Sequence, residues 1–509
     1  MSEPVMVVAP APAPARPELS WAERLADFGD WLSDRVNPLV VKEVRQGLRT
    51  RIFWTTFTLL LTGCVIISLV AYADAQDSGM RGVSSGRDFF YYFFICLGLI
   101  QFLVLPYTAY RSLVREREDE TWVLLSLTGL GPRRILRGKL VSSLVQGLVY
   151  GSAIGPFLLM SYYLNGIDLP TILLVIGLGI LLQMSVTLIA VSAGTLAEGR
   201  IFRAVINVAV LGGLLFATSS GLGFASFLSK DAHELIRDSG FYIGLGLFLW
   251  ASVSGGLFLF EVAVARLSLL TENYTKGPRL ALLFQFVGTT VIWGVAWLTD
   301  GRDAEIPVAM QIGTCLYLAF VGGFMASDVD GQSKGHRTVR GWRRALTPGA
   351  FRGFRFIALM LLLSTVVTSA ALLLSVKHVS GTGDDTRLIA GILAAPAFVL
   401  LYLALPLIIG RMFQTPRLGS PTSVRLLGLA IVIAATGLPP LAGEVLYNKP
   451  TTLWLNVFNP FVGMANLMDR DTTSVERTLL LLVLVAGFGS ALLADNVLAR
   501  RDREVARGG

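Results

Sequence analysis

The sequence predicts an all-α integral membrane protein with about 12 transmembrane helices, and three observations predict it. Apolar residues make up 53% of the 509-residue chain and charged residues only 15%, well below the charge fraction of about 25% usual in soluble domains. Charge-poor windows of about 20 residues, the length that crosses a hydrocarbon core of about 30 Å, recur along the whole chain. The basic residues are also unevenly shared. With the N-terminus inside, 33 of the 43 Lys and Arg fall in cytoplasmic segments and 10 in outer ones, the asymmetry that orients membrane proteins. Helices are expected because each span has to satisfy its own backbone polar groups. The net charge of +8 then reports topology and contact with anionic lipid, and is no argument for a nucleic-acid partner.

In order along the chain, residues 1–19 form an Ala/Pro-rich cytoplasmic arm, with Ala-Pro repeats between Pro10 and Pro17 that stay flexible and extended; no signal peptide is expected. Residues 20–51 carry two short helices. Trp21, Leu25, Phe28 and Leu32 fall at i, i+4, i+7 and i+11 on one face, with Glu23, Asp27, Asp30 and Asp34 opposite, a pattern suited to the inner membrane interface; packing against cytoplasmic loops is the alternative. Asn37-Pro38 breaks the chain before a lead-in segment, Leu39–Arg51, whose Lys42, Arg45, Arg49 and Arg51 equally suit a basic anchor. A first set of windows lies near 52–73, 88–110, 140–164, 169–196, 204–228 and 240–264. A second lies near 280–298, 307–327, 355–376, 388–410, 425–443 and 477–497. The windows divide the chain into a first six-span unit, 52–270, and a second, 271–509.

Between the second and third windows (111–139) runs a dense charged segment, Arg115–Lys139. Glu116 to Leu127 is predicted to be a short helix with acids in its first turn, where the helix dipole favours them. Thr128-Gly129 stops it, and Pro132 suits the first turn of the next helix, which enters the membrane at Leu140. Gly147, Gly151 and Gly155 then form a ladder on one face of the third span, where another helix can approach closely; that helix belongs either to this chain or to a second copy. Prolines within spans (Pro106, Pro156, Pro396, Pro406, Pro439, Pro440) mark candidate kinks.

Several chemistries find no residues. Cys64, Cys96 and Cys315 lie inside spans and read as small packing residues. With neither CxxC nor a histidine cluster, no metal or cofactor is expected. His233, His336 and His378 sit in separate loops, which argues against a polytopic enzyme. No G-x-x-x-x-G-K-[ST] occurs, so ATP hydrolysis by a P-loop is not expected on this chain. A proton- or sodium-driven carrier places ionisable groups near the midplane. Here Glu261, Asp328, Glu444 and Asp495 sit at span edges, and Glu261 and Asp495 are expected to pair with Arg266 and Arg500. The matching ends Glu261–Arg266 and Asp495–Arg500 hint at internal duplication, although the second half carries no good copy of segment 111–139.

Glu116, Glu118, Thr121, Leu124, Leu125, Pro132, Ile135, Gly138 and Lys139 stand in the order of the cytoplasmic coupling segment of type-2 ABC exporter permeases, Glu-x-Glu-x-x-Thr, a leucine run, then Pro-x-x-Ile-x-x-Gly-Lys. The segment resembles that family, departing from it at Asp119-Glu120, where a small residue is usual before the threonine. Asn37-Pro38 followed by Lys42-Glu43-x-Arg45 is similar to the approach to the family's first span, and Asn459-Pro460-Phe461 to the outer segment before its last helix. The resemblance implies a permease, not an enzyme, in a bacterial inner membrane with both termini cytoplasmic. Its partners are a separate P-loop ATPase subunit, membrane lipids and a second permease in a homo- or hetero-dimer, and the chain itself is either two fused six-helix permease units or one enlarged permease. It also implies that Glu116, Glu118 and Glu120 make polar contacts to the ATPase, while Thr121, Leu124, Leu125, Leu127, Pro132 and Ile135 complete the docking element. The competing reading is a secondary carrier or membrane scaffold without ATP coupling.

Overall fold

A computed structural model describes residues 38–77, 85–118, 131–163, 167–196, 200–235, 238–269, 272–328, 339, 341–375, 382–412, 420–448, 455–468 and 474–507. Among them, 12 helices are long and apolar enough to cross a membrane, and each coincides with one of the apolar windows. The protein is an all-α, multi-pass membrane protein. Its surface agrees with a hydrocarbon solvent: Leu59 and Phe216 are each 74% exposed and Val445 83%, which water would penalise and lipid does not. The interfacial stripe Trp21, Leu25, Phe28 and Leu32 lies outside the described residues.

The chain divides into two compact units, residues 1–252 and 253–509. The first contains α1 (Pro38–Leu48), α2 (Arg51–Asp77), α3 (Ser85–Gly98), a π-helical turn (Leu99–Val104), α4 (Leu105–Glu118), α5 (Pro132–Tyr163), α6 (Leu169–Gly194) and α7 (Arg200–Leu235). The division falls inside α8 (Ser239–Leu267). Aromatic and aliphatic side chains from α2, α3, α5 and α6, among them Leu60, Phe94, Ile154 and Val175, form its main core. The second span is one run, α3–π–α4, and Pro106 explains the interruption. Proline has no N–H and its ring crowds the carbonyl four residues back. The widened turn accommodates this, with the Leu105 N–H bonding Ile100 O, five residues back.

The second unit contains α9 (Lys276–Thr299), α10 (Glu305–Ala326), a 3-10 turn (Gly341–Leu346), α11 (Ala350–Leu373), α12 (Thr382–Met412), α13 (Pro421–Tyr447), the short α14 (Val462–Met468) and α15 (Ser474–Arg507). α12 is its axis: 72% of that span's apolar window is buried, the largest share in the chain. Ala394, Ala397 and Ala404 are fully buried on it, and small residues let helix backbones close up in lipid. Gly487 of α15 completes the approach, since a Cβ there would come 2.4 Å from the Ala397 carbonyl oxygen. The two windows that looked short from sequence, in α9 and α13, are full helices of 24 and 27 residues. α13 gains length from its ends. Ser420 caps the Ser423 N–H, Pro421 takes the first helical position, and Asn448 closes the helix in the left-handed region at φ 53°.

Asp495 corrects one expectation. It binds Arg355 of α11 in a two-point fork, 2.6 and 2.8 Å, rather than Arg500 of its own helix. Residues five apart on a helix point roughly 140° away from each other, so Arg500 is poorly placed to reach it.

Candidate functional site at the base of the first unit

Glu116 and Glu118 do not begin a separate short helix; in the described residues they lie on α4, continuous with the second span. Successive helical residues turn by roughly 100°, so the run Glu116-Arg117-Glu118 fans out to three different neighbours. Glu116 Oε1 accepts from Lys139 Nζ of α5 at 2.6 Å. Arg117 Nη1 donates to the carbonyl of Thr195, at the C-terminal end of α6, at 2.5 Å. Glu118 Oε1 accepts from Arg203 Nη1 of α7 at 2.6 Å.

Lys139 is the centre of this arrangement. Its side chain is 1% exposed and also lies 3.7 Å from Glu43 Oε2 of α1, while its Nζ donates to Ser112 Oγ at 2.8 Å. A buried ammonium is costly unless paired and hydrogen-bonded; here two carboxylates and a hydroxyl meet it. One lysine thus ties α1, α4 and α5, and with Arg117 and Glu118 the tie extends to α6 and α7. Glu43 belongs to the lead-in segment and Lys139 ends the charged segment, 96 positions later in sequence.

A polar seam continues from Lys139 into the membrane. Lys139, Ser142, Ser143, Gln146 and Gly147 recur at spacings of three and four on one face of α5. Gln146 packs on Gly47 of α1, where a Cβ would meet its Nε2 at 2.4 Å. Gln183 of α6 is fully buried and donates to Ser143 O at 2.9 Å, and Gln101 of the π turn reaches Gly147 O at 3.5 Å. Gln183 Oε1 has no hydrogen-bond partner among the described residues.

The other residues singled out from sequence fall as follows. Pro132 opens α5 and is half-buried, whereas Ile135 is 2% exposed, inside the unit. Gly147 lies directly against the Gln183 amide, where a Cβ would come within 2.2 Å, while at Gly151 and Gly155 a Cβ would meet nothing within 4 Å. Glu120, Thr121, Leu124, Leu125 and Leu127 lie outside the described residues. Sequence reasoning missed Glu43, Arg117, Arg203, Gln101 and Gln183. The signal for the two glutamines was a polar residue inside an apolar window.

In the second unit a buried cation is held differently. Arg279 is 1% exposed and donates to the carbonyls of Ala345 and Thr347 at 2.5 and 2.8 Å. Arg352 donates to Thr347 Oγ1 at 2.7 Å and Pro348 O at 3.1 Å. Asp328 accepts from Tyr274 OH at 2.8 Å and from the Gly349 N–H at 3.4 Å. Burial first, then the adjacent Asp328 carboxylate, pushes the Tyr274 hydroxyl above its ordinary pKa, so it remains a donor well into alkaline solution. No family model matches the chain, and neither the curated proteins nor the solved structures contain a match to it.

Proposed function

We propose that this chain is the membrane-spanning permease subunit of an ATP-driven exporter of the bacterial inner membrane, working with a separate P-loop ATPase and with both termini cytoplasmic. The observation that carries the reading is the fan Glu116-Arg117-Glu118 with Lys139. The charged segment leaves the membrane on α4 and returns on α5, and the Glu116–Lys139 pair clamps those two helices at its root. A push on the segment therefore moves α4 and α5 together and pulls α1, α6 and α7 with them. In this mechanism ATP closes the ATPase dimer, the segment follows, and the spans change access for the substrate. Leu124, Leu125 and Leu127 serve as apolar anchors on the ATPase. Glu116 acts within the chain, holding Lys139, and Glu118 divides its role between Arg203 and the docking rim.

The test is co-purification of the chain with P-loop ATPases of the same organism, together with ATP hydrolysis, at matched amounts of inserted protein. Truncating a central anchor costs 2 kcal/mol or more and a rim charge far less. Leu124→Asp should therefore weaken association at least about 30-fold, while Glu118→Ala, at a half-exposed pair, should change it only a few-fold. Glu116→Ala should lower the amount of folded protein, because it strips a carboxylate from a buried lysine. An ATPase that stays bound and stimulated by Leu124→Asp would reduce the segment to a solvated loop and sink the exporter reading.

A further inference from the structure

The first unit encloses a cavity of about 450 Å3 beside the π turn, within the range of about 300–1,000 Å3 typical of small-ligand sites. Phe94 and Phe102 face it from the second span, Gly179 from α6, Phe224 from α7, and Gly244 and Phe248 from α8. Ser220 is the one lining residue with a polar side chain. A buried water needs two to four polar partners, so water has no stable place here. An empty space of this size would deprive the surrounding rings of dispersion contacts. The occupant has to be hydrocarbon.

Exposure shows where it enters. Phe102 and Leu228 are 1% and 2% exposed at the back of the cavity, whereas Phe224 and Phe248 at its rim are 49% and 38% exposed. Phe227 (52%) on α7 and Leu247 (47%) on α8, close to these rim residues in sequence, are likewise exposed. The mouth therefore opens sideways into the bilayer. Phe102 lies 14 residues before Glu116, about 21 Å along the helix, so the cavity is remote from the charged base.

We propose that this cleft binds the acyl chain of a bilayer phospholipid, which slides in between α7 and α8 and leaves its headgroup outside. With no charged residue among the described residues of the lining, the site recognises the chain and is indifferent to the headgroup. The claim does not depend on the transport reading.

The experiment places the full chain in phosphatidylcholine nanodiscs containing a trace of phosphatidylcholine with a diazirine in one acyl chain, followed by irradiation and mapping of adducts by peptide mass spectrometry. Adducts are expected on Phe102 and Leu228, which the outer lipid surface does not reach. Gly244→Leu adds a side chain where a Cβ meets nothing within 4 Å, and it should cut labelling of those two residues at least fivefold. Gly246→Leu, equally unobstructed but outside the lining, should leave labelling unchanged. Phe248→Ala widens the mouth and should raise labelling, which keeps the test decisive if the Gly244 variant fails to accumulate. Absence of adducts on Phe102 and Leu228, labelling that ignores both variants, or labelling by a diazirine fatty acid but not by the phospholipid would each overturn the proposal.

Discussion

The bases of the two units solve one problem, a cation buried at the end of a membrane helix, in opposite ways. Lys139 is met by carboxylates on two other helices, Glu43 and Glu116. Arg279 donates instead to the backbone carbonyls of Ala345 and Thr347 in a single connecting turn, with the Asp328 carboxylate near enough to attract it without a direct bond. A lysine ammonium is a compact charge on a flexible stem, whereas guanidinium is a rigid fork. The first unit's joint can keep its pairing while helices shift, and the second unit's joint pins a loop in one geometry. The same contrast recurs inside the membrane. Gln183 has an unpartnered oxygen, while Gln311 donates to Thr365 Oγ1 and accepts from Thr368 Oγ1, both at 3.1 Å. At these two glutamines the first unit is the less fully bonded, although among the described residues the second unit also holds unpartnered buried atoms, Arg279 Nε and Nη2.

The contrast breaks outright if the two bases lie on opposite sides of the membrane. Reporter fusions at Asp119, Gly341 and Gly508 should read cytoplasmic, and fusions at Ser84, Asp231, Gly383 and Asp469 should read external. An external Gly341 would separate the two bases and overturn the twelve-span topology. Next in size are the cations themselves. Lys139→Ala leaves two carboxylates facing each other without a counter-charge and should cost about 3–5 kcal/mol. Arg279→Ala leaves two neutral carbonyls unpaired, about 1–3 kcal/mol, and takes a nearby positive charge from Asp328, which keeps its two neutral donors, Tyr274 OH and the Gly349 N–H. Denaturant midpoints in detergent measure both, and equal losses would erase the distinction. Lys139→Met combined with Glu43→Met and Glu116→Met should recover most of the stability, since apolar replacement of a whole buried ion cluster is often neutral or better. The smallest effect is at the glutamines. Gln311→Leu should cost about 0.6–1.7 kcal/mol, the range for hydrogen bonds between membrane helices. Gln183→Leu should cost less, because it also removes an unpartnered oxygen. The reverse order would show that the braced glutamine lies in the first unit.

The twelve spans were legible because hydropathy and length dominate any other signal in lipid. Helix ends were less legible: α9 and α13 both outran their windows, and at α13 the Ser420 cap, Pro421 and Asn448, not apolar residues, set the limits. The site was half legible. Glu116 and Lys139 stood out as one charged segment, but pointed toward a partner protein, and their pairing across α4 and α5 is a fact of packing. Glu43 was visible in the lead-in segment without a role, because nothing local marks a contact made 96 positions later. Asp495 shows the opposite error, in which nearness in sequence suggested Arg500 while helical geometry selected Arg355.

The π turn has a consequence for how the second span counts its residues. A π turn holds a residue more than α geometry allows, so the helix above Leu99 and the helix below Val104 are out of phase. Phe94 faces the cavity in one phase and Glu116 faces Lys139 in the other. Rewinding this turn as α-helix with all its residues kept would spin the lower half of the span by roughly 100°, turning Glu116 away from Lys139 while Phe94 stayed where it is, whereas deleting one residue from the turn itself removes the surplus and leaves both faces aligned. The span therefore accommodates the loss of a residue at this turn and nowhere else between Phe94 and Glu116, and its reading frame, counted from the cavity, sets the direction of every charge at its foot.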